Sequence, residues 1–394
     1  MKILLVSEPG ENGVFRHVED LADHLIAQGH VVSLAYSDLR SSDRLFALVQ
    51  RVQKAGGQTV NLQIANDLQL GDFRALSRLW LLCRRFQPDV VHAHSAKAGG
   101  LVRLLRRCGV RPKVCYTPHA YYGMGRDRSL SIRFFTAIER FLAPGTITIN
   151  LSPDELDYGR EVLHLDPAHQ RLIPNGVDTR HFSPGTAAEK QALRAELGIP
   201  AGAMVLGTLG RFSYQKDPAT LHRAFRACAD HNPNLYLIHV GAGELRDGIQ
   251  QYAKTHGYNN RVTWIEYLRD PAPFYRMLDG FILSSHYEGL SFAVLEALAT
   301  NLPLILSDAP GNRGFAALGL SHQWTARVDY PASFASAITS WYEDRSHARP
   351  CNHRALTIEH FSQRGQFQSI EELYRLALPG AGRPAAVETV GSKR

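Results

Sequence analysis

Two glutamates in an apolar segment are the residues with the clearest capacity for chemistry. Glu288 and Glu296 lie in YEGLSFAVLEALA at 287–299, directly after the strand-like run GFILSS at 280–285. Carboxylates near the end of a buried strand are costly to bury without partners. They are therefore either exposed on a loop and a helix, or they face a ligand that carries many hydroxyl groups.

Two cations follow another predicted strand. Arg211 and Lys216 lie in LGRFSYQKDP, just before a helix that is predicted to begin near Asp217. Strand ends and helix N-termini at one edge of an α/β sheet bind anions. An arginine fork and a lysine point charge together suit a diphosphate. The alternative is a solvated loop that happens to contain both side chains.

Two glycine-containing turns could bring the backbone close to a ligand. Gly243 belongs to GAGE at the end of a predicted strand, where it permits close approach or simply makes a tight turn. Gly13 belongs to PGENGVFRH at 9–17, ahead of a helix whose N-terminus can receive a phosphate. Neither segment has Walker A or GxGxxG spacing, so a nicotinamide-dependent dehydrogenase is disfavoured.

Three histidines end two strands of the N-terminal half. His92 and His94 in VHAHS suggest a metal, but the sequence offers no clear third ligand, and we predict no metal site. His119 in TPHAYYGM is the more informative residue. A neutral imidazole in a cleft can bond a sugar hydroxyl and a leaving phosphate, whereas the alternative is a structural histidine at a strand end.

Short apolar runs alternate with helical patterns along the chain. This alternation predicts parallel sheets with helices on both faces. The strands of the first half are predicted at 2–7, 31–36, 59–64, 89–94, 113–118 and 146–152, and those of the second at 204–211, 235–243, 262–267, 280–285 and 302–308.

A break in this pattern divides the chain. RLIPNGVDTRHFSPG at 171–185 is rich in proline and glycine, as is typical of a linker. We predict domains at 1–174 and 175–360 that face a ligand cleft, and a helix at 361–378 that crosses back to the first domain. Residues 379–394 are predicted to be a disordered tail.

Composition and charge narrow the function classes. The 394 residues favour two domains, and the chain contains no run of about 18 apolar residues that would cross a membrane. Five scattered cysteines without a CxxC pair fit a reducing cytoplasm. The net charge of +7 fits an anionic partner, although no basic stripe interleaved with aromatic residues supports nucleic acid.

A basic amphipathic helix is predicted around 101–113. Leucines alternate there with arginines at helical spacing, and the alternatives are a membrane-facing helix or an ordinary solvated one. The residues concerned are Leu101, Arg103, Leu104, Leu105, Arg106 and Arg107.

The motifs together resemble a known family. VHAHSAKAG at 91–99, NGVD at 175–178, GRFSYQKD at 210–217 and EGLSFAVLEALA at 288–299 occur in an order and spacing similar to those of the retaining GT-B glycosyltransferases of family four. The resemblance covers residues 1–378. It implies an α/β chain of two Rossmann-like doubly wound domains that transfers a sugar from a nucleotide diphosphate sugar without a metal or other cofactor.

The resemblance also implies roles in binding the donor. Arg211 and Lys216 would hold the diphosphate and stabilise the leaving group, and Glu296 would bind the ribose. Gly13 would approach the diphosphate from the first domain. The backbone amides of Gly289, Leu290 and Ser291 would face the phosphates.

The remaining implied roles concern the reacting sugar. Glu288 would contact its hydroxyls, and His119 would lie near the reacting carbon. Asn12 stands where a second glycine is common in the family. Because no further carboxylate is available as a nucleophile, we favour front-face attack, in which the leaving phosphate takes the acceptor proton, over double displacement on Glu288.

The acceptor is expected to be a glycan or a lipid-linked saccharide of cell-surface polysaccharide or lipopolysaccharide assembly. The basic helix and GMGRDRSLSIRFF at 123–135 predict a cytoplasmic protein that binds peripherally to an acidic membrane. A UDP-sugar donor is favoured over a GDP-sugar. The alternatives are an epimerase, a sucrose-type synthase or a non-catalytic subunit that binds sugar nucleotides.

Overall fold

The computed structural model describes residues 1–10, 12–65, 69–125, 130–344 and 351–376, and these residues form two parallel β-sheets flanked by helices. In the described part of the first half, seven strands pair in the order β3-β2-β1-β4-β5-β6-β7. They are β1 Lys2–Ser7, β2 Val31–Tyr36, β3 Thr59–Asn61, β4 Val90–His94, β5 Lys113–Thr117, β6 Thr146–Asn150 and β7 Gln170–Leu172.

The second sheet is built in the same way. Its six strands in the described residues pair in the order β10-β9-β8-β11-β12-β13. They are β8 Met204–Leu209, β9 Leu235–Val240, β10 Val262–Ile265, β11 Gly280–Leu283, β12 Leu304–Ser307 and β13 Gln323–Ala326. The doubly wound α/β prediction is confirmed.

Helices cover both faces of each sheet. The first half contains α1 Asn12–Ala27, α2 Asp43–Lys54, α3 Gly71–Phe86, α4 Ala96–Arg107, α5 Leu130–Leu142 and α6 Pro153–Asp157. The second contains α7 Ala187–Glu196, α8 Pro218–Ala229, α9 Arg246–Thr255, α10 Ala272–Arg276, α11 Phe292–Ala299, α12 Arg313–Ala316, α13 Pro331–Glu343 and α14 His353–His360, and α15 spans Gln363–Leu376.

Alternation along β1 shows why the sheet has two covered faces. Ile3 and Leu5 pack in one apolar cluster, whereas Leu4 and Val6 pack in another. Successive side chains of a strand point to opposite faces, so a strand covered on both sides is apolar throughout. Helix α15 joins the cluster of Ile3 and Leu5 through one stripe of residues, namely Phe367, Ile370, Leu373 and Tyr374.

Several of the predicted strands end two or three residues earlier than expected, and two differences have a clear physical cause. The strand predicted at 59–64 ends at Asn61, because Gln63 has a φ of 52°, which an extended strand does not allow. The basic face predicted near 101–113 is partly internal. Arg103 is buried, donates to Glu139 over 2.7 Å and lies 4.1 Å from the ring of Tyr116.

The domain boundaries predicted at 174 and 360 stay predictions. The strands of the two sheets lie on either side of residue 175. The tail predicted at 379–394 lies outside the described residues.

The strand orders set the position of the site. In the first sheet the order reverses between β1 and β4, and in the second between β8 and β11. Connections that leave neighbouring strands in opposite directions open a crevice beyond the carboxyl ends of those strands. Gly13 and His119 follow strands β1 and β5, and Lys216 and Glu288 follow β8 and β11.

Candidate functional site

A cleft of about 1240 Å³ lies between the carboxyl edges of the two sheets. Its volume is large enough for a drug-sized or nucleotide-sized ligand. All ten predicted site residues line it: Gly13, His119, Arg211, Lys216, Gly243, Glu288, Gly289, Leu290, Ser291 and Glu296. The structure thus brings the predicted set together, whereas the individual roles stay predictions.

Lys216 and Glu288 are directly paired. The Lys216 ammonium lies 2.5 Å from Oε1 of Glu288, which also accepts a hydrogen bond of 2.6 Å from Ser285. The Glu288 side chain is 7% exposed and that of Lys216 is 21% exposed. The nearby Ser284 hydroxyl donates to the Lys216 carbonyl over 2.9 Å and ties the lysine turn to the end of β11. The ammonium is therefore fixed at the cleft wall.

Arg211 is the more exposed of the two predicted cations. Its guanidinium is half exposed and lies 3.8 Å from the exposed carboxylate of Glu244. An exposed pair of this kind contributes little to stability. Arg211 is consequently free to reorient toward an anion that enters the cleft.

Three glycines lie in close packing around the cleft, and two of them cannot be replaced by a larger residue without displacing their neighbours. A Cβ on Gly243, whose φ is +146°, would lie 2.5 Å from the Phe212 carbonyl oxygen. A Cβ on Gly289 would lie 2.8 Å from Glu155, and one on Gly13 would lie 3.3 Å from the ring of Phe292. Larger residues at Gly243 and Gly289 would displace backbone or buried polar atoms, so both positions require glycine.

Glu296 has partners that the sequence did not indicate. Arg16 donates to its Oε1, and the Tyr275 hydroxyl donates to its Oε2 over 2.6 Å. The guanidinium lies between Phe182 and Phe292, 5.2 and 5.4 Å from their ring centroids. Because both carboxylate oxygens are engaged, ribose binding at Glu296 requires a hydroxyl to share or replace one of these donors.

The position of Arg16 could have been found from helical spacing. It lies three residues after Gly13 on α1, so both residues share one face of that helix. Its importance was not evident from the sequence because its partner Glu296 lies 280 positions away.

His119 belongs to a cluster of imidazoles. Its Nε2 lies 3.2 Å from Nδ1 of His94, and the His17 ring lies 5.0 Å from the His119 ring. Burial, together with the neighbouring imidazoles, holds the pKa of His119 well below its ordinary value. The side chain is therefore neutral near pH 7, in the form that can accept or donate a hydrogen bond.

The backbone at His119 has an unusual conformation that Glu155 supports. His119 and Ala120 have φ values of +54° and +82°. The buried Glu155 carboxylate accepts from the Ala120 and Leu151 amides, each over 2.6 Å. Burial raises the pKa of Glu155 to about 7, and the two amide hydrogen bonds partly oppose that rise. Glu155 thus holds the turn that carries His119, and no pattern in the sequence indicated this contact.

Replacing Glu155 with glutamine is expected to lower turnover about 10- to 100-fold with little change in the KM of the donor. The reason is that the turn carries His119, which the family resemblance places near the reacting carbon, and a looser turn would misplace that side chain. Glutamine offers one acceptor to two amide donors. Steady-state kinetics check the result. Glu161→Gln, an exposed acid nearby, is the control and should match wild type. Unchanged turnover of Glu155→Gln would contradict the positioning role.

Comparisons with known proteins agree with this geometry. A family model described as Glycosyltransferase Family 4 matches residues 11–181, and one described as Glycosyl transferases group 1 matches residues 189–357. The UDP-Gal:alpha-D-GlcNAc-diphosphoundecaprenol alpha-1,3-galactosyltransferase of Escherichia coli is 30% identical over 246 residues. That match covers 61% of this chain and 63% of the length of the Escherichia coli enzyme.

Two solved structures share the fold. HepE of Anabaena, in complex with UDP and glucose, has a TM-score of 0.78 at 18% identity and covers 95% of this chain and 99% of its own. Sucrose-phosphate synthase of Thermosynechococcus elongatus has a TM-score of 0.78 at 20% identity, with 95% and 98% covered. With both halves matched by their family models and the whole fold shared, the chain belongs to the group 1, family 4 glycosyltransferases of the GT-B fold.

Proposed function

We propose that this protein transfers a sugar from a nucleotide diphosphate sugar to a glycan or lipid-linked saccharide, with retention of configuration and without a metal. The observation that carries the proposal is the meeting of Arg211, Lys216 and Glu288 in one cleft at the carboxyl edges of both sheets. Family membership supports the reaction class.

The main chemical task is to stabilise the departing diphosphate. Lys216 lies at the cleft wall as a fixed ammonium, and Arg211 adds a second cation that can reorient. Ser291 is the N-cap of α11, and the free amides of a helix N-terminus attract phosphate oxygens. Together these groups supply the positive charge that the reaction needs.

Front-face attack is the proposed route to retention. The bond between the anomeric carbon and the phosphate oxygen breaks, the acceptor oxygen bonds to the same face, and its proton passes to the leaving phosphate. Glu288 Oε1 already accepts from Lys216 and Ser285, which lowers its strength as a nucleophile and favours this route over double displacement. A trapped glycosyl adduct on Glu288 would overturn it.

A UDP-sugar is the proposed donor, and a saccharide on a polyprenyl diphosphate is the proposed acceptor. The relative from Escherichia coli is named for UDP-Gal and a diphosphoundecaprenol-linked sugar, and HepE was solved with UDP and glucose. Both names describe those proteins, and they support the assignment here by similarity. With this donor and acceptor, the protein would act in the synthesis of cell-surface polysaccharide or lipopolysaccharide.

A thermal-shift panel of nucleotides and nucleotide sugars tests the donor. A ligand of the native state stabilises it by about 2.7 kcal/mol at a concentration of 100 Kd. UDP and its true sugar derivative are expected to raise the unfolding midpoint, and GDP is not. If GDP alone raises the midpoint, the donor is a GDP-sugar rather than a UDP-sugar. If no nucleotide raises it, the proposal that the protein binds a nucleotide sugar is contradicted.

A sucrose-type synthase is the second candidate, favoured by the shared fold of sucrose-phosphate synthase. The two candidates differ in the acceptor, which is a soluble sugar phosphate in one case and a lipid-linked saccharide in the other. Release of UDP in the presence of fructose 6-phosphate, but not of a membrane extract, would favour the synthase.

A patch on α5 supports membrane association. Leu130, Arg133, Phe134 and Phe141 are all exposed and follow helical spacing, so they form one stripe of apolar and basic side chains. Stripes of this kind lie in the interface of acidic bilayers. No helix in the described part of the chain is long and apolar enough to cross a membrane.

Replacing both Phe134 and Phe141 with serine is expected to weaken the affinity for anionic vesicles, measured by co-sedimentation at low salt, at least tenfold. The reason is that burying each ring in the bilayer interface would contribute about 1.5–3 kcal/mol to binding. Tyr330→Ser, at an exposed aromatic residue of the second half, is the control. If the wild-type protein stays in solution with these vesicles, the membrane proposal fails.

A further inference from the structure

Three histidines from separate parts of the first half converge beside the cleft. His17 comes from α1, His94 ends β4, and His119 follows β5. One ring nitrogen from each lies within 4.8 Å of the others. In the sequence, the HxH pair of His92 and His94 has no evident third ligand. The fold supplies the third ligand from α1 and leaves His92 outside the group.

Two of these rings have unsatisfied polar atoms. His17 is 1% exposed and His94 is 0% exposed, and within the described part of the chain the Nε2 atoms of both lack a hydrogen-bond partner. Buried polar atoms are nearly always paired, so the orphaned Nε2 of His17 calls for a partner that the described residues do not provide. In His94 the nitrogen that faces His119 is the other one, Nδ1.

The separation of the ring nitrogens suits a metal ion. His94 Nδ1 and His119 Nε2 are 3.2 Å apart, and two nitrogens at 2.0–2.1 Å from a tetrahedral zinc ion are about 3.3 Å apart. The other ring nitrogen of His17, Nδ1, lies 3.5 Å from the Gln366 side-chain amide nitrogen. Histidine ligands commonly have their second nitrogen fixed in this way.

The histidines are also in the protonation state that binds metals. Burial lowers the pKa of His17 to about 4, and burial with neighbouring imidazoles holds the pKa values of His94 and His119 well below normal. Neutral imidazole is the ligand form. No carboxylate belongs to the group, and imidazole nitrogens favour zinc, copper or nickel over magnesium and calcium.

We propose that His17, His94 and His119 form a binding site for Zn²⁺ and that occupation of this site inhibits the protein. His119 lines the cleft, and three protein ligands would leave the fourth position of a tetrahedral ion for a further ligand. An imidazole that is bound to the ion cannot contact the donor sugar. The inhibitory part rests on the proposed function, whereas zinc binding does not.

Binding is tested on the full-length protein after removal of metals with a chelator. Titration with Co²⁺ is expected to produce the strong visible absorption of a four-coordinate ion, and one equivalent of Zn²⁺ should abolish it. Calorimetry with Zn²⁺ then gives the stoichiometry and Kd. No binding by the wild-type protein up to 100-fold molar excess, or only weak binding at several sites per chain, overturns the proposal.

Variants assign the site. His17→Gln and His94→Gln are each expected to weaken Zn²⁺ binding at least tenfold and to remove the cobalt absorption. His169→Gln, an exposed histidine paired with Asp166, is the control and should bind like wild type. Circular dichroism checks folding. If His17→Gln unfolds, His17→Asn is measured in its place, and if His94→Gln unfolds, His94→Asn is measured. Tight binding that survives in every folded variant contradicts the assignment.

Inhibition is measured separately, as UDP release from the donor at increasing Zn²⁺. Turnover is expected to fall in proportion to the occupancy found by calorimetry and to return when a chelator is added. If Zn²⁺ binds but UDP release is unchanged, the proposal that zinc inhibits the protein is wrong, whereas the zinc site stands. A protein that binds Zn²⁺ and releases no UDP under any condition contradicts the proposed function and leaves the zinc site intact.

Discussion

Replacing Lys216 with alanine is expected to lower turnover about 100- to 1000-fold, the usual cost of removing one group that stabilises developing charge. The Lys216 ammonium is fixed by Glu288 at 2.5 Å in a partly buried position. A charge held in place before the reaction acts on the departing diphosphate without reorganising. The measurement is the initial rate of UDP release from the donor.

The loss of turnover has to be separated from a loss of folding. Lys216→Ala leaves the buried Glu288 carboxylate with Ser285 as its remaining side-chain donor, which costs stability. The double variant Lys216→Ala with Glu288→Gln removes that unpaired charge and should regain stability but not turnover. Lys254→Ala, at an exposed lysine, is the control. Turnover of Lys216→Ala within threefold of wild type would exclude Lys216 from the diphosphate site.

Lowering the pH from 6.5 to 5.0 is expected to reduce the free energy of unfolding by on the order of 5 kcal/mol. The cause is a set of buried histidines. Burial lowers the pKa of each of these in the described part of the chain: His17, His92, His94, His119, His222, His239 and His353.

The sign follows from where the protons bind. In the unfolded chain these histidines take up protons below pH 6.5, whereas in the folded protein His17 and His353 have a pKa of about 4 and His222 one of about 3. Between these values the unfolded state binds more protons, so stability falls with falling pH. Each group contributes at most about 2 kcal/mol over this range.

Two acids act in the opposite direction. Burial raises the pKa of Asp20 to about 6 and that of Glu155 to about 7, so the folded state binds their protons more readily than the unfolded chain. Their contribution to stability is present at low pH and is lost as the pH rises through those values. Two acids offset only part of the effect of seven histidines, which leaves a net loss of stability in acid.

Urea unfolding at pH 7.5, 6.5, 5.5 and 5.0 measures this dependence. The midpoint is expected to fall steadily below pH 6.5. The slope of the unfolding free energy against pH gives the number of protons taken up on unfolding. His222→Gln should lower this number by up to one, and His169→Gln, at an exposed histidine, should leave it unchanged. A midpoint that stays constant from pH 6.5 to 5.0 would show that the buried histidines titrate normally.

Much of the site could be predicted from sequence because the fold is a parallel α/β sheet. In such a sheet the carboxyl ends of all strands meet at one edge, so residues that directly follow strands become neighbours. Lys216 follows β8 and Glu288 follows β11, and these two strands pair with each other. Apolar runs and glycine-rich turns located the strand ends, and the motif order indicated the family.

The doubly wound architecture, the cleft edge and the ten residues along it could therefore be predicted from the sequence and its family resemblance. The partners of those residues became known only from the packing of the fold. Arg16 reaches Glu296, Glu155 supports the turn at His119, and His17 completes a group with His94. Periodicity along a chain reports which face of an element is buried. It carries no information about which buried side chain of a distant element lies against that face, because packing of the two sheets decides it.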